Sequence, residues 1–143
     1  LKNVLSTLAK QTQGKLAVVF GCGCERDKDK RPLMASIAQD LAELVCFTSD
    51  NPRKESLDGI IQGMQLGLNT MNNTPVKIEK DRQQAIHNMV SDLTKGDLLL
   101  IAGKGHEAYQ DTGGKKIPYS DEGVLIAMGY QRINEKVNKE ESL

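Results

Sequence analysis

The sequence predicts an α/β fold of Rossmann-like type: a mostly parallel sheet with helices on both faces and a C-terminal hairpin at the sheet edge. Two observations carry that prediction. Short apolar runs alternate with segments whose apolar residues recur at helical spacing, the pattern of crossover units feeding a parallel sheet. Beyond Gly105 the pattern changes to a Gly-Gly turn between extended-looking residues, which is hairpin chemistry.

Leu1, Val4, Leu5 and Leu8 place a helix ahead of the first strand, which is KLAVVF at 15–20. A helix follows behind Pro32, a residue suited to a first helical turn, with Met34, Ile37, Ala38, Leu41 and Val45 on its apolar stripe. LVCFT at 44–48 is the second strand. Leu57, Ile60, Ile61, Met64 and Leu68 mark the next helix, VKIE at 76–79 the third strand, and Ala85, Ile86, Met89, Val90 and Leu93 a further helix. DLLLIAG at 97–103 is the fourth strand. YQDTGGKKIPYSDEG supplies the hairpin, a short helix from Asp121 to about Tyr130 closes the domain, and the charged residues 134–143 read as a frayed tail.

Residues 1–143 fit one domain with a single core, and no repeat, low-complexity tract or linker divides them. Lys and Arg total 19 and Asp and Glu 19, so no net charge draws the chain to nucleic acid or to an acidic membrane. An odd cysteine count, three, with no signal-peptide pattern near Leu1, points to a reducing compartment, the cytoplasm. The longest apolar runs, LAVVF and LLLIA, are too short to span a bilayer.

Ligands of such sheets sit beyond the carboxyl ends of the strands. GCGCERDKDKRP follows the first strand, SDNPRKE the second and GKGHEAYQ the fourth, so three polar loops converge on one edge. In the first, Arg26 stands where a dinucleotide fingerprint has its third glycine, and the remaining glycines suit a sharp turn and close approach of backbone to a ligand. Arg26, Lys28, Lys30 and Arg31 form either a solvated basic loop or an anion site at a helix start. Cys22 and Cys24 lack the second ligand pair of a zinc site and read as small buried or half-buried thiols, and His87 as a helix-surface residue. GKGHE lacks the upstream glycine and the hydroxyl residue of an ATP phosphate loop, so it does not read as an ATP phosphate cradle. Gly103 and Glu107 offer a carbonyl and a carboxylate to an ammonium group, while Arg26 and Arg53 each suit a bidentate grip on a carboxylate. These charges either complement a zwitterionic amino acid or pair with each other as Arg53 and Glu107.

VFGCGCERDKDKRPLM, TSDNPRKE, DRQQAI and LLLIAGKGHEAYQ followed by YSD, in this order and spacing, resemble the C-terminal domain of the Mur ligases from about Lys15 to about Met128. The resemblance is strongest to the MurE branch, in which DNPR accompanies meso-diaminopimelate rather than lysine. It implies an ATP-dependent ligation in peptidoglycan synthesis: the terminal carboxylate of UDP-N-acetylmuramoyl-L-alanyl-D-glutamate becomes an acyl phosphate, and the diaminopimelate amino group displaces phosphate. Arg26, Asn51, Arg53, Gly103 and Glu107 then become the diaminopimelate contacts, with Asp50, Pro52, Lys104 and His106 supporting, Pro52 by fixing the backbone on which Asn51 and Arg53 are presented.

The chain departs from the family at Cys24-Glu25, where Gly-Asp is usual, and at SDEG, which lacks the basic residue common after Ser-Asp. The family also implies an N-terminal domain for the uridine nucleotide, a central ATPase domain holding most of the ATP and magnesium contacts, and a DYAHTP-like strand just upstream of Leu1. The expectation is therefore a domain truncated at its N-terminus, inactive alone, with a groove or sticky edge where that strand would lie. The alternatives are another ligase of the superfamily, for example one adding glutamate to folate, and a non-enzymatic Rossmann-type nucleotide-binding module.

Overall fold

The computed structural model describes residues 1–23, 28–52, 54–103, 109–112 and 114–133. Four strands, β1 (Leu16–Phe20), β2 (Leu44–Phe47), β3 (Val76–Ile78) and β4 (Leu98–Ala102), form a parallel sheet in the order β3-β2-β1-β4. Strand β1 is central and buried at every residue, as its unbroken apolar run demands, whereas β4 is half-buried throughout. Phe20 is in register with Phe47 on one side and Ala102 on the other, so three strands end at one level.

Side-chain alternation along β1 sorts the core into two layers. Leu16, Val18 and Phe20 face α1 (Lys2–Gln11), α2 (Lys30–Leu41) and α3 (Leu57–Gln65), together with Leu5, Ala35, Ala38, Ile60 and Met64. Ala17 and Val19 face the other way, toward Ala85, Ile86 and Met89 of α4 (Arg82–Ser91) and Val124 of α5 (Asp121–Ala127). Phe20 and Phe47 meet edge to face at 5.6 Å between ring centres, a favoured aromatic geometry.

The hairpin strands β5 (Tyr109–Thr112) and β6 (Lys115–Pro118) pair antiparallel as a two-stranded sheet of their own, not part of the four-stranded ladder among the described residues. Four apolar positions fall outside the helices whose stripes they continue: Leu1, the N-cap of α1, Leu93, just past the end of α4, and Val45 and Leu68. Val45 lies in β2 because Ala42 turns extended (φ −100°, ψ 158°) and Glu43 N–H bonds Leu16 O at 2.7 Å, so strand pairing replaces the helix. Leu68 lies beyond the end of α3 and still packs on the first core layer. Residues 134–143, the expected tail, lie outside the described residues.

Candidate functional site

Chain order along the sheet reverses between β1 and β4, the switch point at which open α/β sheets leave a crevice. Two glycines line it. A Cβ on Gly21, just after β1, would lie 2.6 Å from Thr48 O and 2.7 Å from Asp50 N, so the β1 and β2 ends pack backbone on backbone. Gly103, just after β4, has φ +108°, and a Cβ there would lie 3.2 Å from Gly21 O and 3.7 Å from Asp50 Oδ2. Gly21 is thus a packing glycine, not the ligand-approach glycine expected of it, while Gly23 has open space around its Cα.

The loop after β2 is held from three sides. Asn51, 7 % exposed, accepts at Oδ1 from the Asp111 N–H of β5 at 2.8 Å. Gln110 donates through Nε2 to Ser49 Oγ at 2.6 Å and to Asp50 O at 3.0 Å, so the hairpin docks on this loop. Pro52 is buried and its carbonyl accepts from Glu55 N–H at 2.9 Å, closing the turn that leads to Ser56. Ser56 then caps α3 by accepting from Gly59 N–H, as Asp81 caps α4 and Ser120 caps α5. A cavity of about 440 Å³ opens beside the loop, walled by Ser49, Pro52, Glu55, Asp81 and Gln110 among others.

Two buried arginines frame this edge. Arg31, placed above among the cations of a basic loop, is 3 % exposed and forks onto Glu55 at 2.7 and 2.8 Å. Its Nη2 also donates to Gly23 O at 2.9 Å, so the loops after β1 and β2 are tied by one side chain. Arg31 therefore serves Glu55 and not an external anion, whereas Lys28 and Lys30 are exposed. The bond from Arg31, with its charge, holds the Glu55 carboxyl below its ordinary pKa. Arg82, 1 % exposed, forks onto Asp121 at 2.7 Å twice, and donates at 3.0 Å to Ser49 O and at 3.0 Å to Ala102 O. Burial works against its charge, and Asp121 more than offsets that, leaving the guanidinium more basic than usual.

Neither arginine was assigned a partner from sequence, yet a signal exists. Both lie in the first turn of a helix without an acidic residue there, where the helix dipole disfavours a cation. A basic residue so placed needs a specific carboxylate, and the structure supplies Glu55 and Asp121.

Of the predicted amino-acid contacts, Asn51 and Gly103 are brought to the same edge, with Asp50 and Pro52 beside them. Arg26, Arg53, Lys104, His106 and Glu107 lie outside the described residues, as does Cys24. Cys22 and Cys46 are buried, Cys22 in keeping with its reading as a small buried side chain, and burial pushes the Cys46 thiol up to about 11. Among the described residues no group of three or more His, Cys, Asp or Glu is placed to hold a metal ion. No described helix is long and apolar enough to cross a membrane.

The family model described as "Mur ligase, glutamate ligase domain" matches residues 1–105. This chain belongs to the Mur ligase family. The Mur ligase domain is 47 % identical over 124 residues to a UDP-N-acetylmuramoyl-L-alanyl-D-glutamate–2,6-diaminopimelate ligase of Bacillus licheniformis, a match covering 87 % of this chain and 25 % of that protein. It is 43 % identical over 125 residues to the ligase of the same name from Aquifex aeolicus, covering 87 % and 26 %. A solved structure of a ligase with that name superposes with a TM-score of 0.81 at 36 % identity, over 91 % of this chain and 27 % of the other. The Mur ligase domain thus spans about a quarter of the length of these relatives, and corresponds to their C-terminal part in fold and in sequence.

Proposed function

We propose that this chain is the amino-acid-selecting domain of an ATP-dependent ligase that joins meso-diaminopimelate to UDP-N-acetylmuramoyl-L-alanyl-D-glutamate. The observation that carries the reading is the meeting of Gly21, Asp50 and Gly103 at the switch point, which brings the first residues of DNPR and of GKGHE to one crevice. In this reading Arg26 and Arg53 grip carboxylates, Asn51 adds a hydrogen-bonding edge, and the Gly103 carbonyl with Glu107 holds an ammonium group. Lysine lacks the second carboxylate and would leave Arg53 desolvated and unpaired, a penalty of roughly 2–5 kcal/mol.

The sequence has no phosphate loop, and the described residues offer no metal-binding cluster. ATP and magnesium are therefore assigned mainly to the portions of a complete ligase outside this chain, as is the uridine nucleotide. What this domain contributes is position: it presents the amino group of diaminopimelate to an acyl phosphate formed elsewhere. A reaction on a nucleotide-linked precursor with ATP places the protein in the cytoplasm.

The test is a titration of the chain with meso-diaminopimelate, lysine and NAD by calorimetry or heteronuclear NMR, repeated as KM values in a ligase carrying this domain. The expected result is selectivity for diaminopimelate, lost in Arg53→Ala. NAD binding without amino-acid binding would overturn the reading in favour of a nucleotide-binding module.

A further inference from the structure

Two motifs, DRQQAI and YSD, have no task in the reading above, and the structure makes one assembly of them. Arg82 opens α4 and Asp121 opens α5, and the two meet in a fork-to-fork ion pair. Tyr119 joins by donating its hydroxyl to Asp121 Oδ1 at 2.8 Å. Burial, and then the bond to Asp121, hold the Tyr119 phenol protonated well above its usual range.

Two further Arg82 protons go to Ser49 O, two residues past the end of β2, and to Ala102 O, at the last residue of β4. Those strands are not neighbours, because β1 lies between them. One guanidinium therefore ties the chain after β2 to the end of β4 across β1. Asn51 stands two residues beyond Ser49, and Gly103 directly follows Ala102. Each residue adds at most about 3.6 Å of reach, so neither can shift far while Arg82 holds its carbonyl.

Burial and the positive end of a helix dipole both oppose a charge on Arg82, and its pair with Asp121 is what holds that charge in place. Apolar residues of similar volume commonly replace buried ion pairs at no loss. What they lack is a rigid, planar fork that fixes two carbonyls and a carboxylate in one plane.

We infer that Arg82, locked by Asp121, is a positioning residue for amino-acid selection: it sets the separation of the strand ends that carry Asn51 and Gly103, and so the span gripped along diaminopimelate. It acts through those two residues, and the inference rests on their reading as diaminopimelate contacts.

Tyr119→Phe, Asp121→Asn and Arg82→Lys are compared with the parent in a ligase carrying this domain, below the melting temperature of each. The KM for meso-diaminopimelate is expected to rise about tenfold or more in Asp121→Asn and Arg82→Lys, and a few-fold in Tyr119→Phe. The preference for diaminopimelate over lysine falls in parallel, while KM for ATP and for the nucleotide-linked dipeptide stays within about twofold. A merely structural role would lower melting temperature and active fraction while leaving KM and the preference unchanged, and that outcome overturns the inference. Should the two charge variants fail to fold, Tyr119→Phe alone decides by the same readouts. A parent ligase indifferent to diaminopimelate would instead overturn the functional reading beneath.

Discussion

A single carboxylate, Glu55, shows how a side chain near the site can be structural and still leave a measurable signature. Its side chain is 16 % exposed and that of its partner Arg31 is 4 % exposed, so solvent screens the pair little. Since the bond from Arg31 lowers the folded-state pKa of Glu55, the pair contributes fully above the ordinary value of 4.5 and is lost as pH falls through the lowered one. Glu55→Gln keeps the volume and one acceptor, so it should cost on the order of 2 kcal/mol at pH 7, less than the ~3–5 kcal/mol of removing a buried partner outright. Urea unfolding of parent and variant at pH 7 and pH 3 checks this: the gap should narrow at the lower pH. A gap of equal size at both would show that the charge on Glu55 contributes nothing.

Elements were legible where periodicity was long and the packing local. LAVVF, LVCF and LLLIA announce parallel strands because both sides of a covered parallel strand are apolar, and all three lie in the sheet, although edge strand β4 is only half-buried. Helix ends were less legible: no glycine or proline stops α2 before Val45, and only pairing of the next strand ends it. At the site, the convergence of polar loops followed from topology, whereas Arg31–Glu55 and Arg82–Asp121 join residues 24 and 39 apart in sequence. Contacts at that separation leave only the indirect mark of a cation at the wrong end of a helix. The hairpin is a similar case: its turn is legible, but its docking rests on Asn51 and Gln110 reaching across 60 residues. Asn51→Ala should therefore lower hydrogen-exchange protection of the Asp111 amide by about ten- to a hundredfold, the equivalent of ~1–3 kcal/mol for a lost acceptor. Amides of β1 serve as the internal reference, since their ladder does not involve Asn51. Unchanged Asp111 protection in NMR would mean that Gln110 alone docks the hairpin.

On the scale of the whole molecule, one sheet separates two cores, and the separation has an energetic consequence. Ile60 of α3 and Ile86 of α4 are both fully buried, but Ile60 packs with Leu16, Val18 and Phe20, and Ile86 with Ala17 and Val19. Alternation along β1 sends these contacts to opposite faces, so the two isoleucines share the strand and not their surrounding side chains. Each Ile→Val change removes one methylene from a close-packed site and should cost about 0.5–1.5 kcal/mol. Because neither cavity borders the other, the double variant should cost the sum within about 0.3–0.5 kcal/mol. Yet both faces depend on the same buried β1, so unfolding should remain one transition, with circular dichroism and tyrosine fluorescence coincident. Urea denaturation of Ile60→Val, Ile86→Val and the double variant reads both claims. A large coupling energy would show strain passing through the sheet, and two separate transitions would show that one helical layer detaches while the sheet survives on the other.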